Sequence, residues 1–380
     1  MSFMKVLHII TGLGDGGAEH ALYKICKYDL KNKHLVISLK GPGKYYSLLK
    51  KIGIEVYFLN LNFFSFIKFI FLIKLIRSLK PDLVQTWLVH ADFIGGIAAR
   101  MSGVSNILWN IRYSNIEIGK AKLTTIFIIK ILAFLSYIIP QIIITVSKKA
   151  QKIYEMAGYN KKIIKFIPNG YDLSILKISN FEKINFRKKI NFRKQIPLIG
   201  NVARFDPQKD HLNLLNALVL IRKKKIDFVC VLVGFKINKT NNKLISSIKK
   251  LKLSNHIKLL GQKKNITEVM NGIDLHVLSS SYGEGFPNVI AESMACGTPC
   301  VVTNVGDSAY VTGKTGWIVP PNNPKKLAKA IEKAINEQST LKWTKRCINA
   351  RLRIKEKFSI SQMINLYNKI WNKVYKQSNK

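Results

Sequence analysis

Two carboxylates, Glu284 and Glu292, stand eight positions apart in the run Glu284-Gly285-Phe286-Pro287-Asn288-Val289-Ile290-Ala291-Glu292. The apolar stretch before them, Ile273 to Ser280, reads as a strand that ends in small polar residues. Asn288 is placed to cap a helix through Glu292 to Cys296, which Gly297, Thr298 and Pro299 stop before a strand at Cys300 to Thr303. In an open α/β sheet, ligands bind beyond the carboxyl ends of the strands. Glu284 then lies in a loop facing that crevice and Glu292 about one helical turn into the helix. Both could hold the hydroxyls of a sugar or a ribose. Spacing alone leaves a second reading open, a solvent-facing loop carboxylate and a helix-surface one.

A basic pair, Arg204 and Lys209, follows another predicted strand in the run Gly200 to His211. Arg204 leaves the strand and Lys209 enters the next helix, so both could converge on a diphosphate, one as a planar fork and one as a point charge. In so basic a chain the pair is equally readable as solvated surface. Near the amino terminus, Gly12, Gly14 and Gly17 have the spacing of a dinucleotide fingerprint. The strand after them, Leu35 to Leu39, ends in Lys40 rather than in an acid that would hold a ribose, which disfavours a nicotinamide enzyme. The loop can still bind an anion, because glycines let the backbone approach and the amides of a helix beginning at Ala18 point outward. Gly16 and Gly17 are the strongest candidates there.

Together these motifs resemble the retaining glycosyltransferases of family 4. The resemblance rests on the two glutamates eight apart and the following Glu292-Ser293-Met294-Ala295-Cys296-Gly297-Thr298-Pro299, with the further motifs in the expected order over nearly the whole chain. It implies the GT-B fold, an α/β architecture of two Rossmann-like doubly wound domains facing across a cleft, with a carboxyl-terminal helix crossing back to the first. It implies a nucleotide-diphosphate sugar donor, UDP-linked by preference, no metal or other cofactor, and transfer with retention by same-face attack. Glu284, Arg204 and Lys209 would serve catalysis. Glu284 orients the transferred sugar, Glu292 binds the nucleotide ribose, and Gly285, Phe286, Pro287 and Asn288 bring backbone toward sugar and diphosphate. Gly16 and Gly17 match the family's Gly-Gly-Ala-Glu segment near the donor pyrophosphate. Gly306 and Asp307 belong to a segment expected to close the pocket.

The sequence departs from the family pattern in two places. Asp210 follows Lys209 where many relatives have glycine. Arg112 and Tyr113 stand near the position of a histidine in many relatives, and a tyrosine with an unperturbed pKa of about 10 is a poor base at neutral pH. Arg112, Tyr113 and His90 are therefore acceptor-side candidates, His90 being equally readable as a structural residue.

The elements that must position these residues are legible as alternating strand and helix patterns. The 380 residues suggest two domains. The expected division is 1–173 for the acceptor side and 196–358 for the donor side, with 174–195 as an interdomain connection and a final helix at about 359–376 packing back on the first domain. Tyr367, Trp371 and Tyr375 recur every four residues as core positions for that packing. Apolar residues make up 47%, which excludes a disordered chain. The 62 basic and 21 acidic residues give a formal charge of +41, which invites nucleic acid, anionic lipid or a phosphorylated substrate. The lysines are spread throughout and no nucleic-acid motif is present, so nucleic acid is not expected as a partner. Five scattered cysteines fit a reducing cytosol better than a disulfide framework.

Two apolar stretches, Leu61 to Leu79 and Leu123 to Val146, carry inserted basic residues. They suit a helix in a membrane interface, or equally a core helix with snorkelling lysines, better than a spanning segment. The expectation is a cytoplasmic enzyme held peripherally at the inner membrane face. Its acceptor would be a glycan on polyprenyl diphosphate, in capsule or O-antigen assembly. The alternatives are a protein, glycerolipid or soluble sugar acceptor on the same fold, and a non-enzymatic protein that binds anionic lipid or nucleic acid.

Overall fold

Short runs rich in Val, Ile and Leu, each followed by a helix, leave little choice but a parallel sheet covered on both faces. The computed structural model describes residues 3–61, 66–112, 123–192 and 195–378. Two units result, one of Met1–Gly170 with Ile360–Lys380 and one of Tyr171–Ser359.

The first unit contains strands β1 (Met4–Ile10), β2 (Asn32–Ser38), β3 (Glu55–Phe58), β4 (Leu83–Trp87), β5 (Ile107–Ile111), β6 (Ile142–Thr145) and β7 (Ile164–Phe166). Their order is β3-β2-β1-β4-β5-β6-β7, parallel throughout. The helices between them are α1 (Gly17–Tyr28), α2 (Lys44–Lys51), α3 (Phe66–Leu79), α4 (Val89–Met101), α5 (Leu123–Leu135) and α6 (Lys148–Met156).

The second unit opens with α7 (Asn180–Lys189) and builds its sheet from β8 (Leu198–Val202), β9 (Val229–Val233), β10 (Ile257–Leu259), β11 (Leu275–Leu278), β12 (Cys300–Thr303) and β13 (Trp317–Val319). The order β10-β9-β8-β11-β12-β13 is again parallel. Its other helices are α8 (His211–Lys223), α9 (Asn242–Lys250), α10 (Ile266–Gly272), α11 (Asn288–Ala295), α12 (Ser308–Thr312), α13 (Pro324–Glu337) and α14 (Leu341–Phe358). The last helix, α15 (Ile360–Ser378), returns to the first unit. This is the expected α/β architecture of two Rossmann-like sheets with a returning helix.

The segment 174–195, expected as a connection, carries α7 and belongs to the second unit. Phe186 is the single buried residue of α7 and fits over Gly272, where a Cβ would lie 2.1 Å from the ring. Arg187 adds an ion pair with Asp274 at 2.6 Å. Only one of ten helical residues is buried, so the segment has no clear apolar period to read.

Helix α15 is held by a polar seam inside the first unit. Trp371 Nε1 donates to Gln85 at 2.8 Å, and Asn110 Nδ2 donates to the Tyr367 hydroxyl at 2.7 Å. Asn368 Nδ2 donates to Asp29 at 3.1 Å. That carboxylate also accepts from His34 Nε2 at 3.1 Å, and His34 Nδ1 lies 3.0 Å from His8 Nε2. His8 Nδ1 in turn accepts from Trp87 Nε1 at 3.2 Å. One arrangement of protons satisfies the whole chain: Trp87 donates to His8, His8 to His34, and His34 to Asp29. Burial pushes the Asp29 carboxyl up, but the bonds from His34, Asn32 and Asn368 outweigh it and bring it to about 2. His8, fully buried and beside His34, is held well below the ordinary histidine range.

Candidate active site

In each sheet the strand order reverses between the first and fourth strands, and ligands bind doubly wound sheets at that switch point. The sequence-predicted residues lie there in both units.

In the first unit, Gly16 is the N-cap of α1 and Gly17 its first residue, directly after β1. Gly17 has open space around a notional Cβ, whereas a Cβ on Gly16 would meet Glu19 Oε2 at 2.4 Å. His90 lies in the first turn of α4, after β4. Arg112 follows β5 and is fully engaged. It donates to Asn169 at 2.5 Å, to Asn110 at 3.0 Å and to the Tyr367 hydroxyl at 3.1 Å, and lies over the Trp87 ring. It fastens α15 to the sheet. Tyr113 falls outside the described residues.

The second unit brings the main candidates together. After β8, Asp206 caps a single 3-10 turn, Pro207–Lys209, by accepting from the Gln208 amide at 2.9 Å. Lys209 thus ends this turn rather than entering α8. Asp210 then adopts the left-handed conformation, φ 43°, and its carboxylate caps α8 through the Asn213 amide at 3.1 Å. Glycine is the easy residue for that backbone, and aspartate is tolerated because its side chain bonds locally. The departure at Asp210 therefore preserves the turn and adds a cap.

The turn is laced to the loop after β11. Ser279 Oγ donates to the Lys209 carbonyl at 2.9 Å, and the Ser281 amide to the Gln208 carbonyl at 2.9 Å. The ammonium of Lys209 meets Glu284 Oε1 at 2.5 Å, with both side chains largely buried. Ser280 Oγ donates to the same oxygen at 2.5 Å, and Thr303 Oγ1 anchors the Ser280 carbonyl at 2.6 Å. Ser280 and Thr303 were not singled out in the sequence. The only signal for Ser280 is the small polar end of its strand.

Gly306 has φ +60°, and a Cβ there would lie 2.0 Å from the Glu284 carbonyl oxygen. The Asp307 amide donates to the Gly285 carbonyl at 3.0 Å. The loop after β12 thus braces the Glu284–Gly285 backbone from beneath. Phe286 is buried between Tyr171 and Phe358, with ring centroids 6.4 and 5.5 Å away, so its side chain serves packing.

Pro287, not Asn288, is the N-cap of α11. It has no N–H to offer, and Asn288, the first helical residue, uses its side chain to accept from the Tyr171 hydroxyl at 2.5 Å. Glu292 lies four residues on, on the same helical face as Asn288.

Arg204 is engaged with the residues of the 3-10 turn that ends at Lys209. Its guanidinium is about half exposed and bonds Asp206 and Gln208, each at 3.2 Å.

Two buried histidines adjoin this site. Burial, aided by the Lys209 charge, pulls His276 on β11 down to about 3 and His211 on α8 to about 4. No ring nitrogen of either has a partner among the described residues. Both are neutral in the folded chain but gain a proton in the unfolded chain below about pH 6.5, so the unfolded state binds more protons there. Thermal stability is expected to hold above pH 6.5 and to fall steadily from there to about pH 4. Melting temperatures recorded across that range check this, and an unchanged value at pH 4.5 would contradict it.

One cluster of potential metal ligands, His8, Cys26 and His34, occurs among the described residues. Every imidazole nitrogen in it is occupied by the hydrogen-bond chain that ends on Asp29, and burial raises the Cys26 thiol. As bonded, the two imidazoles offer an ion no free lone pair, and burial keeps the Cys26 thiol protonated.

The two sheets and the returning helix define the GT-B fold. Residues 182–352 match the family model described as glycosyl transferases group 1. By that match and that fold, the chain is a glycosyltransferase related to the group 1 family. It is 26% identical over 292 residues, 73% of this chain and 72% of the relative, to an Escherichia coli protein named UDP-Gal:alpha-D-GlcNAc-diphosphoundecaprenol alpha-1,3-galactosyltransferase. Its fold matches that of Anabaena HepE in complex with UDP, with a TM-score of 0.85 at 23% identity over 97% of this chain and 100% of that one. A glycosyltransferase from Rickettsia africae gives 0.86 at 21% identity over 98% and 99%.

Proposed function

We propose that the protein is a retaining hexosyl- or N-acetylhexosaminyltransferase. It takes sugar from a nucleotide diphosphate, UDP by preference, and places it on a glycan carried by polyprenyl diphosphate in surface-polysaccharide assembly. The observation that carries this reading is the Lys209–Glu284 pair at the switch point of the second sheet. Lys209 supplies a fixed cation where negative charge grows on the departing diphosphate, and a cation already in place stabilises the transition state more than the ground state. Glu284, held by Ser280 as well as Lys209, directs its carboxylate at the hydroxyls of the transferred sugar.

Glu292, together with the amides of Phe286, Asn288 and Val289 at the start of α11, serves the nucleotide. Arg204 would exchange Asp206 and Gln208 for phosphate when donor arrives. Gly16 and Gly17 offer amides for an anion at the start of α1, at the switch point of the first sheet. No metal is assigned to this chemistry. Supporting the choice of donor and acceptor are the UDP named with the Anabaena structure and the diphosphoundecaprenol acceptor named for the E. coli relative.

The test incubates the protein with UDP-sugars and polyprenyl-diphosphate-linked sugars in detergent. The expected product is a lengthened lipid-linked glycan whose new anomeric proton keeps the donor's configuration. An inverted linkage, or turnover confined to soluble acceptors, would contradict the reading.

A further inference from the structure

The layer of α3, α4 and α5 covers one face of the first sheet, burying Leu72, Ile73, Ile76, Ile128, Ile129 and Leu132 against it. The outward strips of the same helices are not polar. Phe66, Ile67, Phe71, Phe127 and Phe134, with Tyr137 in the turn just after α5, are between 54 and 81% exposed. On α3 the exposed apolar positions share one helical stripe with Lys74 and Arg77, and on α5 with Lys130. The three helices form one continuous surface. Arg77 donates to the Met101 carbonyl at 2.9 Å, Ser102 Oγ to the Ile73 carbonyl at 3.2 Å, and Arg100 to the Ile139 carbonyl at 2.6 Å.

Monomeric soluble proteins rarely leave so much contiguous apolar surface open to water. Neither α3 nor α5 contains an acidic residue, and the one in α4, Asp92, is buried. No described helix is long and apolar enough to cross a membrane.

We infer that this face docks on an anionic phospholipid surface, its aromatic and aliphatic side chains entering the interface and Lys74, Arg77 and Lys130 meeting the headgroups. The charge pattern selects that occupant. A second copy pairing through the same face would set basic residues against basic residues with no carboxylate to offset them. A bilayer with acidic lipid meets both features at once, apolar side chains in the interfacial zone and cations at the phosphate level. The inference rests on the lipid-linked acceptor reading, to which it adds the surface that brings the enzyme to its acceptor.

The experiment is co-sedimentation of the full chain with vesicles of phosphatidylcholine, with and without phosphatidylglycerol. The unaltered protein is compared with Phe71→Ser/Phe134→Ser and with Lys74→Glu/Lys130→Glu. All four positions are exposed, so circular dichroism and melting should be unchanged. The unaltered protein is expected to pellet with the acidic vesicles. Each double variant should partition at least about tenfold more weakly. Donor hydrolysis without vesicles should be the same for all three proteins, which separates failure of docking from failure of the transferase reading. Three results would overturn the inference: no binding to acidic vesicles, binding that the Phe71/Phe134 variant leaves unchanged, or a self-associated species that this variant turns into monomer while vesicle binding persists.

Discussion

Lys209→Ala is expected to lower nucleotide-diphosphate release from the preferred donor by about 100- to 1,000-fold, mainly in kcat. The size follows from where the ammonium sits. Lys209 is largely buried and lies 2.5 Å from Glu284, so its field is weakly screened by water and it needs no reorganisation when the diphosphate departs. Removing it deletes a cation at the point of developing charge and leaves the Glu284 carboxylate, among the described residues, with Ser280 as its remaining hydrogen-bond donor. A solvated surface lysine in the same sequence position would cost at most a few-fold. Steady-state kinetics on the variant, with a melting curve showing it folded, distinguishes the two. A kcat within about fivefold of the unaltered enzyme would remove Lys209 from the chemistry.

Trp371→Ala is expected to destabilise the first unit by about 3–5 kcal/mol, the usual loss for truncating a fully buried tryptophan. Trp371 is completely buried in the core that joins α15 to the sheet, and its Nε1 donates to Gln85 inside β4. Gln85 Nε2 already lacks a partner, so truncation strands the amide at both ends as well as opening a cavity. Trp371→Phe keeps most of the packing and should lose only about 1–3 kcal/mol. Urea unfolding measures both, and equal losses would mean that the hydrogen bond rather than the cavity dominates.

The sheets were readable because buried parallel strands are continuous apolar runs. Apart from β7 and β13, the strands are legible as apolar runs with ends within a residue or two, except that β2 begins at Asn32, three residues before its apolar run at Leu35. The three-residue edge strands β7 and β13 were not read, since runs such as Ile164-Lys165-Phe166 carry little pattern. The equally short edge strand β10 was legible because its apolar run continues to Leu260. The partners in the Lys209–Glu284 contact were both legible as candidates, but their pairing across 75 residues was not. Asn288 looks like a helix cap by residue type, and it loses that role because Pro287 sets the entry to α11. The Asp29–His34–His8 chain has no sequence signature. Its members acquire meaning only when β1, β2 and α15 bring them together.

The apolar stretches were ambiguous for a simple reason. Composition cannot separate a core stripe from a surface one, and α3 and α5 possess both.

The most direct measurement is nucleotide-diphosphate release from a panel of UDP-, GDP-, dTDP- and ADP-sugars, comparing the unaltered protein with Glu284→Ala. Slow release from one donor, abolished by the substitution and unaffected by EDTA, is the predicted result and would name the sugar. Absence of both turnover and nucleotide binding across the whole panel would contradict the assignment of this site to sugar-nucleotide chemistry.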